Sequence, residues 1–413
     1  MLDIKFIREN PEQVQKGAKD KNIDVDVTKI LEVDSEYRAL STKLQELFAA
    51  RNAAAKERDI EKGKSLKSDI DQKESVLNDL KQALDELLLN LPNIAKEDVK
   101  VGKNDTENDV IKTVGEVKKF NFTPKDHVEL GQLLDIIDIE RATKVSGSRF
   151  AYLKNEGALL ELALVQFAME TLSSEGFTPI VPPTIITKET MKKLGYMENG
   201  GDEDMFQLKD NYSVLVGTAE QSIVPMHLDE VFPAKDLPKR YVGFSSSFRR
   251  EAGSYGKDTR GILRVHQFDK VEMVSFVSEN QDDNEHDYLL SLEEKFFQAL
   301  EIPYQVIKMC TGDLGFPVAR KYDIEAYIPT QEKYREVTST STTTDFQARR
   351  LNIKYQDGDE KKFVHVLNGT AFAIGRTLIA ILENYQEEDG SVIIPEVLRK
   401  YIPGNLEKIT PKK

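Results

Sequence analysis

Two apolar seams, one directly after the other near the start of the chain, constrain its fold more than any other feature. The first runs through Ile30, Val33, Tyr37, Leu40, Leu44, Leu47, Arg51 and Ala54 at alternating steps of three and four residues. The second runs through Leu66, Ile70, Lys73, Leu77, Leu80, Leu84, Leu87 and Leu91 in the same rhythm, with Lys73 its one polar member. A repeat averaging 3.5 residues keeps one stripe of a helix apolar and requires a second helix to cover it. The two helices are expected to turn between Asp59 and Lys64, around Gly63, and to close into an antiparallel hairpin over about residues 28–91. Pro92 ends the second arm because it has no N–H for the helix ladder. At 1.5 Å per residue each arm is about 40 Å long.

Charge separates this arm from the rest. Between Arg51 and Lys67 the cations Arg51, Lys56, Arg58, Lys62, Lys64 and Lys67 outnumber Glu57, Asp59 and Glu61, whereas the whole chain carries a net charge of −14. That overall charge argues against nonspecific nucleic-acid binding, and DNA is not expected as a partner. A basic tip can still steer RNA to one place, although a solvated helix face is the commoner meaning of such a run. No apolar run approaches the ~18 residues of a membrane span, and the first residues lack a signal-peptide core, so a cytoplasmic location without a membrane partner is expected. Cys310 is the only cysteine and there are five histidines, so neither a disulfide nor a zinc site is expected. Cys310 reads as a small buried apolar residue.

Residues 93–120 are polar, include Gly102, Asn104, Asp105 and Gly115, and read as a linker. An N-terminal helical domain over 1–110 and a second domain over 111–413 are expected. In the second, 124–139 and 157–174 read as helices, and 213–216, 240–244, 305–309 and 363–367 as strands. With no regular strand–helix alternation and no G-x-G-x-x-G, an α+β body around an antiparallel sheet fits better than a Rossmann fold.

The densest chemistry lies at Phe248, Arg249, Arg250, Glu251 and Ala252, followed closely by His266 to Met273. A guanidinium fork grips phosphate or carboxylate at two points, which suits a nucleoside triphosphate. In the second stretch Val265, Gln267, Asp269, Val271 and Met273 alternate with His266, Phe268, Lys270 and Glu272, the period of a strand with two faces. Residues 252–261 contain three glycines and are too long for a tight turn, so they read as a flexible loop able to fold over a substrate.

This segment, 248–273, resembles motif 2 of class II aminoacyl-tRNA synthetases in the wording of the bacterial-type seryl-tRNA synthetase family. Residues 176–183, Gly-Phe-Thr-Pro-Ile-Val-Pro-Pro, resemble motif 1, where a helix leads into a strand at the dimer interface. Asn368, Gly369 and Thr370 through Gly375, Arg376, Thr377 and Leu378, near 368–380, resemble motif 3. Two further blocks, Thr218-Ala219-Glu220 and Glu336-Val337-Thr338-Ser339, are similar to the family's serine and ATP contacts. The likeness continues into the N-terminal hairpin and covers nearly the whole chain.

The resemblance implies an antiparallel-sheet catalytic domain, a homodimer, and an AMP-forming ligase that activates L-serine with ATP and transfers it to the 3′ end of tRNA(Ser), with tRNA(Sec) a further acceptor. It implies that Arg249 bridges the α-phosphate and the serine carboxylate, with Arg250 beside it in the ATP-binding motif. Glu251 would meet the adenine amino group, Arg264 the outer phosphates, and Val265 would offer backbone near the base. Phe268 and Arg376 would sandwich adenine. Glu336 and Ser339, with Val337 and Thr338 between them, would hold Mg2+ with ATP. Glu272 and Thr370 would take the serine hydroxyl, and Thr218, Ala219 and Glu220 the ammonium end. The chain departs from the family twice. Residues 338–344 read Thr-Ser-Thr-Ser-Thr-Thr-Thr where the family commonly has serines, a cysteine and an asparagine, and Ala371-Phe372 replaces the usual glycine and aliphatic residue, so an added methyl is expected to press on the backbone beside Thr370.

Two other readings make different demands on the sequence. A relative that loads an amino acid onto a carrier protein would generally lack the hairpin and often carry zinc ligands. An inactive coiled-coil adaptor would have no need of Arg249, Glu251, Glu336 and Arg376.

Overall fold

The computed structural model describes residues 1–198, 200–209, 212–252 and 260–412; most of the expected loop over 252–261 therefore lies outside the described residues. The chain divides into two compact units, Met1–Ile94 and Ala95–Lys413.

In the first unit two short helices, α1 (Ile4–Glu9) and α2 (Pro11–Asp20), precede the long pair α3 (Val27–Glu57) and α4 (Ile60–Leu89). The seams face each other. Ile30, Val33, Leu44, Ala54, Ile70 and Leu84 are buried, while the positions between them are largely exposed. The polar seam member Lys73 pairs with Asp69 at 2.8 Å. The turn comes earlier than expected, at Arg58 and Asp59. Arg58 takes a left-handed conformation (φ 59°), and the Asp59 carboxylate accepts the Lys62 N–H to start α4, so two residues reverse the chain. Gly63 lies inside α4 with open space where a Cβ would stand. Near the base of the arm, Asp34 is buried and accepts Arg8 Nε and Nη2 at 2.8 and 2.6 Å and Arg38 Nε at 3.0 Å.

The second unit is built on eight strands: β1 (Asp109–Val114), β2 (Thr178–Ile180), β3 (Lys239–Phe248), β4 (Gln267–Val277), β5 (Tyr304–Lys308), β6 (Arg320–Ile328), β7 (Lys333–Thr342) and β8 (His365–Ala373). They lie in the order β1-β5-β6-β7-β8-β4-β3-β2, antiparallel throughout except for the parallel edge pair β2–β3. The expected α+β antiparallel architecture is therefore present.

The linker reading of 93–120 requires correction. The Lys96 N–H bonds to the Ala319 carbonyl at 2.9 Å, the Thr311 N–H to the Lys100 carbonyl at 2.9 Å, and β1 pairs with β5. β1 is an edge strand with four of its six residues exposed, so it has no apolar alternation to reveal it. The helix expected over 124–139 is shorter: α5 (His127–Leu133) begins at an Asp126/Glu129 capping box, and the positive φ of Asp135 (54°) breaks it before the short strand Ile137–Asp138.

Helices α6 (Asn155–Ser174), α7 (Asp282–Ala299) and α8 (Ile374–Asn384) share one apolar core with the sheet, in which Phe167, Phe296, Phe297 and Phe372 meet at ring separations of 4.9–6.2 Å. Helix α6 runs out through Gly176, whose φ of 87° suits glycine, into β2. This is the helix-to-strand passage expected at 176–183. Cys310 is buried, as its type suggests.

Candidate active site

The site lies where β3, β4, β7 and β8 run side by side, and two irregularities in the ladder aim its side chains. Between β6 and β7 the register shifts so that Thr338 faces Ile324 but Glu336 faces Glu325, leaving Val337 as the extra residue of a bulge. Strict alternation would put residues three apart on opposite faces. With the bulge, Glu336 and Ser339 line the same cavity, while the Thr338 hydroxyl donates to Glu293 of α7 at 2.7 Å. The threonine-rich run then resumes its period. The Thr340 hydroxyl donates to the Asn368 carbonyl at 2.8 Å and Thr342 to Asp282 of α7 at 2.6 Å, whereas Ser339 and Ser341 face the site. A second bulge, at Ala371, separates the Thr370–Glu272 pair from Phe372–Val271. It sends the Ala371 methyl into the core and leaves Thr370 aimed at Glu272, so the methyl packs instead of displacing Thr370.

Two adjoining cavities result. Arg249, Glu251, Arg264, Val265, Phe268, Glu336, Val337, Thr338, Ser339, Thr370 and Arg376 line the first. Thr218, Glu220, Arg249 and Glu272 line the second. Four residues line both: Arg249, Lys270, Lys321 and Ser339. Of the residues expected from the sequence, Arg250 is exposed and borders neither cavity, and Ala219 is buried in a separate apolar cluster that supports the second cavity.

Glu336 and Glu251 in the first cavity each meet an arginine. Arg376 Nη1 lies 3.1 Å from Glu336 Oε2 and donates to the Glu336 carbonyl at 3.0 Å. Burial works to raise the Glu336 pKa, but Arg376, Lys321 and Arg249 outweigh it and hold the carboxyl at about 2, so it is ionised at neutral pH. Its side chain remains 44% exposed, which suits a hard oxygen ligand. Glu251 Oε2 accepts Arg264 Nη1 at 3.2 Å. The Phe268 ring carries the Arg249 guanidinium at 5.5 Å, so one face of this aromatic already holds a cation.

The second cavity is lined by buried carboxylates. Glu220 accepts the Tyr196 hydroxyl at 2.9 and 3.0 Å and Gln347 Nε2 at 3.1 Å. Burial, and then the nearby Glu272, raise its pKa. Glu272 Oε2 accepts Lys270 Nζ at 2.6 Å and the Thr370 hydroxyl at 3.1 Å. Tyr196, Gln347, Lys270 and Lys321 were not anticipated. Only Lys270 had a sequence signal, its position between Phe268 and Glu272 on one strand face.

No helix among the described residues is long and apolar enough to cross a membrane, and no group of three or more His, Cys, Asp or Glu among them is arranged to hold a metal.

Residues 206–385 match the tRNA synthetase class II core domain (G, H, P, S and T), and residues 1–95 match the Seryl-tRNA synthetase N-terminal domain. The serine–tRNA ligase of Dictyoglomus turgidum is 44% identical over 100% of both chains. That of Rubrobacter xylanophilus is 42% identical over 97% of this chain and 98% of its own. Among solved structures, seryl-tRNA synthetase from Pyrococcus horikoshii complexed with ATP superposes with a TM-score of 0.94 at 39% identity over 100% of both chains. The cytoplasmic serine–tRNA ligase from Naegleria fowleri in complex with AMP gives 0.91 at 34%, over 100% of this chain and 99% of that one. Likeness of this extent, in sequence and in fold, makes the chain a member of the seryl-tRNA synthetase family, the class II ligases that join serine to tRNA.

Proposed function

We propose that the two adjoining cavities hold ATP and L-serine, with Arg249 at their junction, and that this juxtaposition carries the reaction. A serine carboxylate oxygen attacks the α-phosphorus; the bond to the oxygen bridging the β-phosphate breaks, and pyrophosphate leaves with its electron pair. No proton moves, so the protein's task is alignment and charge neutralisation. Arg249 borders both cavities, as a residue gripping both the α-phosphate and the attacking carboxylate must. Phe268 and Arg376 would flank adenine, Glu251 its amino group, and Arg264 the outer phosphates. Glu336 and Ser339 would hold Mg2+ bound with ATP, which when present neutralises phosphate charge.

The amino acid would place its ammonium toward Thr218 and Glu220 and its hydroxyl toward Glu272 and Thr370. A pocket built on buried hydroxyl-reading groups rejects alanine because those groups would be left without a partner. The adenylate then passes serine to the 3′ end of tRNA(Ser), and by the same chemistry to tRNA(Sec), held by the α3–α4 arm. A homodimer would pair through the helix-to-strand passage at 176–183, where Val181 just after β2 exposes its aliphatic side chain. A cytoplasmic location fits an enzyme that charges tRNA for translation. Aminoacylation of total tRNA with each amino acid in turn tests the reading: serine alone should be transferred, and transfer of another amino acid, or of none, overturns it.

A further inference from the structure

Strand β4 carries Phe268, Lys270 and Glu272 on one face, at successive steps of two residues. At about 3.3 Å per residue the first and last are about 13 Å apart along the strand. Phe268 borders the first cavity and Glu272 the second, and Lys270 stands between them and borders both. Its backbone is fixed on two sides, opposite Ser245 of β3 and Ala373 of β8. Its side chain is 9% exposed, with Nζ 2.6 Å from Glu272 Oε2 and 3.5 Å from the Thr370 hydroxyl. The residue stands midway along this span and turns its ammonium toward the Glu272 end. In a seryl group whose hydroxyl meets Glu272, the carboxylate and the α-phosphate bonded to it are only a few bonds from that hydroxyl, which brings them beside this ammonium.

We infer that Lys270 is a further residue of the adenylation site, whose ammonium contacts the reacting α-phosphate while it holds Glu272 in place to read the amino-acid hydroxyl. The inference rests on the adenylation reading above. The ammonium carries a positive charge to the five-coordinate phosphorus, where negative charge accumulates as the serine oxygen bonds and pyrophosphate departs. The same group neutralises Glu272, which is 1% exposed and shares its surroundings with Glu220. Recognition of the hydroxyl and stabilisation of the reacting phosphate thus converge on one side chain.

The test separates these two duties. Serine-dependent exchange of pyrophosphate into ATP is measured for the unmodified protein, Lys270→Met, Lys270→Arg, Glu272→Gln and the double variant Lys270→Met/Glu272→Gln, each checked for folding by its melting temperature. Lys270→Met should lower kcat at saturating ATP and serine by roughly 10- to 100-fold, and Lys270→Arg should restore part of it. The double variant removes both members of the Lys270–Glu272 ion pair and strands neither, so it keeps the test open if Lys270→Met unfolds. Its kcat should still fall well below that of Glu272→Gln alone. If the double variant equals Glu272→Gln, Lys270 is only a counter-ion and the inference is overturned. If the unmodified protein shows no serine-dependent exchange, the adenylation reading fails first and takes this inference with it.

Discussion

Replacing Thr370 by valine removes one oxygen and keeps the side chain's shape, which makes it a sharp probe of how serine is told from alanine. Thr370 is 2% exposed, and its hydroxyl donates to Glu272 Oε2 at 3.1 Å. The same oxygen retains Lys270 at 2.6 Å, so valine does not strand a buried charge and the fold should be little disturbed. What is lost is one of two polar groups arranged around the substrate hydroxyl. A hydrogen bond in a network with a charged group is worth about 1.5–3 kcal/mol. At about 1.4 kcal/mol per factor of ten, kcat/KM for serine in pyrophosphate exchange should fall roughly 10- to 150-fold. Alanine makes no use of that group, so its kcat/KM should stay within about twofold, and discrimination should collapse by nearly the whole loss. Both amino acids are assayed at saturating ATP with the same enzyme preparation. An equal fall for serine and alanine would mean that Thr370 only supports the fold, and no fall would mean that the hydroxyl is read elsewhere.

Thr338→Val should lower the melting temperature by about 2–6 °C, because it takes from the buried Glu293 carboxyl a donor worth about 1–3 kcal/mol, whereas Thr338→Val with Glu293→Leu should recover most of that loss; a double variant no more stable than the single one refutes the pairing. Burial lifts the Glu293 pKa well above the carboxylate range, so its protonated folded form is penalised as pH rises above the unfolded value of about 4.3, and the double variant should flatten that decline in a melting series. Asp34 has the opposite sign: despite burial, Arg8 and Arg38 lower its pKa, so its contribution is complete above about pH 3.9 and fades as pH falls through the lower folded value. Protection factors for amide exchange in Ile4–Glu9, taken against the unstructured rate at each pH, should therefore fall on acidification in the natural chain and be low already at neutral pH in Asp34→Asn; equal protection in both removes Asp34 from that role. Replacing residues 36–85 by a short linker should preserve pyrophosphate exchange and abolish tRNA charging, and undiminished charging would exclude the arm from tRNA binding.

The parts of the molecule legible in the sequence are those governed by a single period. The α3–α4 seams are helical repeats and appear nearly residue for residue, and β4 announces itself by alternation. The Arg58–Asp59 turn was hidden because a left-handed arginine has no compositional mark, while Gly63 nearby has one and needs none. Strand β1 was hidden because most of its side chains meet solvent. In the site, Arg249, Glu251, Phe268, Glu272, Glu336 and Arg376 came from motif wording and converge in space. Tyr196 and Gln347 clamp Glu220 from positions 24 and 127 residues away, distances over which local pattern carries no information. The spacing of Glu336 and Ser339 contradicts strand alternation until the bulge at Val337 is seen.

That bulge also imposes a parity rule on the strand. Side chains along β7 change sides at every regular residue, so deleting Val337 would keep Glu336 opposite Glu325 and on the side of Ser339, whereas drawing Val337 into the ladder as an ordinary strand residue would turn everything before it inside out. In that straightened strand Glu336 would leave the site, and its neighbour Arg335 would take its place, substituting a cation for the acid that faces Arg376. A one-residue insertion or deletion between Glu336 and Ser339 is therefore compatible with this site only where it takes the bulge away. The length of this short segment, quite apart from the identity of its residues, becomes an inherited constraint on the enzyme.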